Sequence, residues 1–178
     1  MVAYLTRVPV LCVVHMNNPP NAVWYEHSDT GPSLEKLRYV IESADHYGVP
    51  IIFLELDSFF EEPKILTNGL SNCHYICTEE SECGNGFVPD NGTNPLKELL
   101  DVFSVTDIAI GGYNRTKCVL STATSAVTNG FKVHTTNEIL FGNVNNTPES
   151  DEKAMKIFAE IGIVYNNVKD LVRSLFPL

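Results

Sequence analysis

The stretch 107–134, DIAIGGYNRTKCVLSTATSAVTNGFKVH, decides how the rest of the chain is read. Residues 107–110 form a short apolar run closed by Gly111 and Gly112, the pattern of a buried strand that enters a tight turn. Beyond Tyr113, Asn114, Arg115 and Thr116, the apolar residues Val119, Ala123, Ala126 and Val127 recur at helical spacing. That spacing predicts a helix over 118–127 with one face on a sheet. Asn129-Gly130 supplies a stop and 131–135 reads as the next strand, so the whole is one strand–helix–strand crossover of about 30 residues. Cys118 opens its helix.

A thiol in the first turn of a helix feels the partial positive charge of unpaired backbone N–H groups, and Arg115 and Lys117 place formal positive charge close by in sequence. The thiolate is therefore expected to be favoured, with the same N–H groups able to hold an oxyanion. Open α/β sheets also collect ligands at the carboxyl ends of their strands, where this turn falls. The competing expectation is a small buried apolar residue, the usual fate of a free cysteine.

Working outward, residues 8–14 (VPVLCVV) and 49–56 (VPIIFLEL) are continuous apolar runs of the kind that parallel strands covered on both faces require. The first is broken by His15-Met16-Asn17-Asn18-Pro19-Pro20. Residues 33–47 predict a helix with Leu34, Leu37, Val40, Ile41 and Ala44 inward, closed by Gly48. Residues 74–77 read as a short strand with its thiols packed inside. A structural metal on Cys73, His74, Cys77 and Cys83 is the lesser alternative, because that spacing fits no standard zinc pattern. Helices are expected over 95–103, 150–160 and 168–176, a last strand over 161–165, and a polar Gly- and Asn-rich loop over 138–146 that covers a pocket or a neighbouring subunit.

The segment GGYNRTKCVLSTATSAVTNGFKV resembles the nucleophile segment of the isochorismatase-like cysteine hydrolases: a glycine-ended strand, a short loop, Cys-Val, small residues, and a hydrophobic strand. The resemblance implies a six-stranded sheet, homodimers or larger homo-oligomers, and a cysteine that attacks a carbonyl or related carbon. It also implies an aspartate base ending the first strand and a lysine from a mid-chain segment. Here His15 stands at the base position, and the acidic segment 78–82 (TEESE) has no lysine. The metal site of the nicotinamidase branch is not expected, since Asp57-Ser58-Phe59 has no histidine beside it.

With 178 residues the chain is expected to form one domain, 1–178. Alternating strands and helices predict a three-layer α/β/α sandwich around a mainly parallel sheet, to which the resemblance adds a count of about six strands. The net charge of −10 speaks against nucleic acid or an anionic membrane as partner, since no basic face is on offer for phosphates. Five cysteines and an N-terminus without a secretory pattern point to a reducing, cytoplasmic setting.

Two functions follow. In the first the chain is a small-molecule hydrolase of amide or related C–N bonds, with no cofactor and no metal. Cys118 is then the nucleophile and His15 the base, an arrangement that imidazole supports near neutral pH. Lys117 and Val119 supply oxyanion amides, Tyr113 and Asn114 binding contacts, and Asn17, Trp24, Asp57 and Phe141 pocket walls. In the second the fold is kept without catalysis, as a binding or oligomeric interaction module. The missing aspartate and lysine favour it; the retained cysteine favours the first.

Overall fold

The computed structural model describes residues 7–16, 31–56, 69–78, 84–88 and 93–176. Asn17, Trp24, Asp57, the acidic segment 79–82 and Cys83 lie outside the described residues. Among the described residues, strands β1 (Pro9–Val14), β2 (Ile51–Leu56), β3 (Cys73–Thr78), β4 (Asp107–Tyr113), β5 (Lys132–Thr136), β6 (Leu140–Phe141) and β7 (Ile163–Tyr165) alternate with five α-helices. These are α1 (Leu34–His46), α2 (Pro95–Val102), α3 (Cys118–Thr128), α4 (Pro148–Ile161) and α5 (Val168–Leu175). The sheet runs β3-β2-β1-β4-β5-β7, with the two-residue β6 paired to β4, and every pairing is parallel. The expected six strands are this path; β6 is an addition.

Because side chains alternate across a strand, the apolar runs feed two cores at once. Leu11, Val13, Ile51, Phe53 and Ala109 pack on α1 and α5 through Leu37, Val40, Ile41, Leu171 and Leu175. Val10, Cys12, Val14, Ile52, Leu54, Ile108 and Ile110 pack on α2, α3 and α4 through Leu96, Leu100, Val119, Ala123, Ala126 and Phe158. Each fully buried side chain of this size contributes roughly 1.5–3 kcal/mol relative to exposure. This is the expected three-layer sandwich.

Some local expectations change. The strand does not stop at Gly111: β4 continues through both glycines to Tyr113. A Cβ on Gly112 would lie 2.1 Å from the Val14 carbonyl oxygen, so this glycine allows β1 and β4 to approach rather than the chain to turn. Helix α4 begins at Pro148, with Thr147 as N-cap and Ser150 returning the reciprocal bond, two residues before the expected start. The thiol of Cys77 is exposed and not packed inside. The expected polar loop over 138–146 is replaced in its first half by Ile139, Leu140 and Phe141, which are fully buried, whereas Val144 and Asn145 are exposed.

Candidate active site

The strand order reverses between β1 and β4, because successive strands step to one side from β1 and to the other from β4. At such a switch point the loops leaving the two strands diverge and open a crevice at the carboxyl edge. His15 follows β1 there, and the loop 114–117 that leads into Cys118 follows β4.

That loop is held tightly. The Asn114 carbonyl accepts from the Lys117 and Val119 amides at 3.1 and 3.2 Å, and its side-chain oxygen accepts from the Thr116 amide at 3.3 Å. The Thr116 hydroxyl lies 3.0 Å from Asn114 Oδ1 and 3.1 Å from Asn146 Oδ1. The Tyr113–Asn114 peptide is cis. Two expectations are corrected here. The amides of Lys117 and Val119 are engaged by Asn114, so neither stands ready for an oxyanion. The Arg115 guanidinium, expected to serve Cys118, pairs with Asp151 at 2.8 Å and donates to Asn137 Oδ1 at 3.0 Å. With its amide donating to the Phe141 carbonyl, Arg115 instead ties the loop to the segment 137–141 and the start of α4.

Cys118 is half-buried at the first position of α3, against the second core. Lys117, its N-cap, is exposed and makes no side-chain capping bond, so the helix start is left without a capping side chain. Tyr113 is a near neighbour. Burial holds its hydroxyl above the ordinary tyrosine range, the Asn143 amide that donates to it works the other way, and negative charge on Cys118 adds to the rise. Phe141, expected at a pocket wall, is fully buried in the first core instead.

His15 takes an unexpected course. Strict alternation after Leu11 and Val13 would send its side chain to the α1 and α5 face. Its backbone is instead left-handed, at φ 49°, and Met16 fills the first core. The His15 ring lies 3.1 Å from the Thr78 hydroxyl through Nε2, and Thr78 shares a strand face with Ile76 of the second core. His15 therefore sits on the face that carries Cys118. Its edge is covered by Gly84, where a Cβ would fall 1.9 Å from the ring Cε1. The ring is 3% exposed, and burial pushes its pKa down to about 4. Next to it the buried Glu55 accepts the Met16 amide at 3.2 Å.

The loop 84–88 links His15 to α3. Asn85 donates to the Ser125 hydroxyl at 2.9 Å and the Gly86 amide to the Thr122 hydroxyl at 3.2 Å. Cys118, Thr122 and Ser125 follow one another at positions i, i+4 and i+7, on one helix face. The sequence reading missed Thr78, Gly84, Thr122 and Ser125. Only the last two carried a signal, as polar residues in register with the cysteine. Among the described residues, no cluster of three or more His, Cys, Asp and Glu side chains could hold a metal ion, and no helix is long and apolar enough to cross a membrane.

No family model matches the sequence, and no curated protein matches it. Solved structures do match. The MAR1 ribonuclease of Caenorhabditis elegans superposes with a TM-score of 0.69 at 16% identity, over 96% of this chain and 84% of that one. An isochorismatase family protein of Burkholderia thailandensis gives 0.66 at 17% identity, over 96% and 97%. The nicotinamidase of Staphylococcus aureus gives 0.60 at 22% identity, over 90% and 100%. With the same parallel sheet and flanking helices, and a Cys-Val helix start at the switch point, this chain has the fold of the isochorismatase-like hydrolases.

Proposed function

We propose that this protein is a hydrolase of small-molecule amide or related C–N bonds, acting through Cys118 with His15 as its proton partner. The observation that supports the reading is the strand order, in which β1, followed by His15, lies beside β4, followed by the loop into Cys118, at the point where the order reverses. In this scheme His15 accepts the thiol proton as sulfur attacks the carbonyl carbon, then gives that proton to the departing amine. Water next attacks the thioester and the thiol is regenerated with the carboxylic acid. Stabilising the tetrahedral oxyanion with the Lys117 or Val119 amide requires their bonds to Asn114 to open. The ribonuclease named among the structural neighbours raises RNA as an alternative substrate class. A net charge of −10 speaks against it, since phosphate neutralisation dominates nucleic-acid affinity.

One observation favours the second, non-catalytic reading. A histidine held down to about 4 is a weak base for a thiol of ordinary pKa near 8.5, and Arg115 is already paired with Asp151. The test is the rate of Cys118 alkylation by iodoacetamide against pH, in wild type, His15→Ala and Cys118→Ser, alongside ammonia release from small primary amides. Hydrolysis lost in Cys118→Ser, with alkylation slowed in His15→Ala, supports the hydrolase. A Cys118 no more reactive than Cys77, in a protein that releases no ammonia, leaves the non-catalytic reading standing.

A further inference from the structure

Resting on that reading of the site, we infer that Thr78 is a positioning residue for His15: it fixes the ring as the Nε2–H tautomer and leaves Nδ1 as the nitrogen that takes up protons. The argument is a count of hydrogens. The Thr78 hydroxyl has one, and among the described residues two groups lie within reach of its oxygen, the Glu55 backbone carbonyl at 3.2 Å and His15 Nε2 at 3.1 Å. A carbonyl only accepts. If Thr78 turned its hydrogen toward His15, its oxygen would face the Glu55 carbonyl with no hydrogen between them, in a buried place where such a contact is costly. With the hydrogen on Glu55, the hydroxyl oxygen is open to accept from Nε2–H, and both contacts are satisfied.

The consequence reaches the chemistry. In the neutral Nε2–H ring the remaining lone pair is on Nδ1. When Nδ1 gains a proton, Nε2–H continues to donate to Thr78, so the ring changes charge without turning over. Three features keep it in place: the left-handed backbone at His15, the hydrogen bond its amide donates to the Leu54 carbonyl at 2.7 Å, and Gly84 against the Cε1 edge. An aspartate in the place of Thr78 would stabilise the imidazolium; a neutral hydroxyl fixes direction without adding charge.

The test is the tautomer itself, read from the ring nitrogen and carbon resonances of His15 in isotopically labelled protein, in wild type, Thr78→Val and Thr78→Ser, through a pH titration. The expected result is an Nε2–H ring in wild type that protonates at Nδ1, a tautomer mixture in Thr78→Val, and the wild-type pattern in Thr78→Ser. Cys118 alkylation should then slow by about tenfold in Thr78→Val and recover in Thr78→Ser. An Nδ1–H ring in wild type overturns the inference, as does an unchanged tautomer in Thr78→Val; should the valine variant not fold, the wild-type spectrum alone decides. The expected tautomers in a protein that hydrolyses no amide sustain the assignment and overturn only the hydrolase reading.

Discussion

His15 and His134 are both buried, at 3% and 0% exposure, yet they are held in opposite ways. His134 lies in the regular strand β5 toward the amino edge of the sheet. It donates from Nε2 to Asp107 Oδ1 at 2.8 Å, and its Nδ1 lies 3.2 Å from the Tyr165 hydroxyl, which in turn lies 2.6 Å from that of Ser174. Thr106 donates to the other Asp107 oxygen at 2.7 Å. Burial lowers the His134 pKa, and the bond and charge of Asp107 oppose this, so a neutral ring passes hydrogen bonds from Ser174 through Tyr165 to the carboxylate. His15, at the carboxyl edge, has a left-handed backbone, a neutral hydroxyl partner and a glycine against its ring. A histidine with both nitrogens engaged inside regular structure serves the fold. One kept neutral by burial on a strained backbone at a strand end is the arrangement expected of a site.

The largest effect that should separate the two is on stability. Replacing His134 by leucine leaves the Asp107 carboxylate, 1% exposed, with Thr106 as its side-chain partner among the described residues, and leaving a buried charged acceptor short of a hydrogen bond costs about 3 kcal/mol or more. His15→Leu strands only a hydroxyl that still donates to Glu55, and should cost clearly less. Urea denaturation of the two variants checks this. Equal losses would break the comparison, since His15 would then be as structural as His134.

A smaller effect is on pH dependence. The His15 pKa falls from its ordinary 6.5 to about 4 in the folded protein. Between those values the unfolded chain binds the proton more readily, so the contribution to stability is full above pH 6.5. It is lost as pH falls from 6.5 toward 4, and it amounts to on the order of 3 kcal/mol over that window. Urea midpoints at pH 7 and pH 5 should therefore differ more in wild type than in His15→Gln. The His134 ring contributes in the same direction, so the variant should retain part of the slope.

How much of this was legible from the residues depends on how far apart the partners lie in the chain. The layers were legible because unbroken apolar runs such as 8–14 fit only strands covered on both faces. Cys118 at a helix start was legible because strand, loop and helix are contiguous. His15 and Thr78 are separated by 63 positions, and nothing local marks a threonine at a strand end as the partner of a histidine. Arg115 read as a charge beside the cysteine because its partner, Asp151, belongs to a helix that begins much later. The glycine pair 111–112 read as a turn because sequence pattern does not distinguish a glycine that permits bending from one that permits close approach.

Gly84 sharpens the comparison with the smallest change. Gly84 and Gly48 share left-handed backbones, at φ 57° and 68°, so an alanine at either carries a similar conformational penalty. They differ in surroundings: a Cβ at Gly48 meets nothing within 4 Å, whereas at Gly84 it would lie 1.9 Å from the His15 ring. The excess cost of Gly84→Ala over Gly48→Ala therefore isolates the ring contact, and overpacking of this kind puts it at about 1–2 kcal/mol. That excess should vanish in a His15→Ala background, where the ring is absent, and a double-mutant cycle by urea denaturation measures the coupling directly. Because Gly84 leads into the loop bonded to Thr122 and Ser125 on the Cys118 face of α3, displacing the ring should also change Cys118 alkylation, whereas Gly48→Ala should leave it untouched. A coupling near zero would mean that the ring moves aside freely, and that His15 is not held in the fixed orientation its role at the site requires.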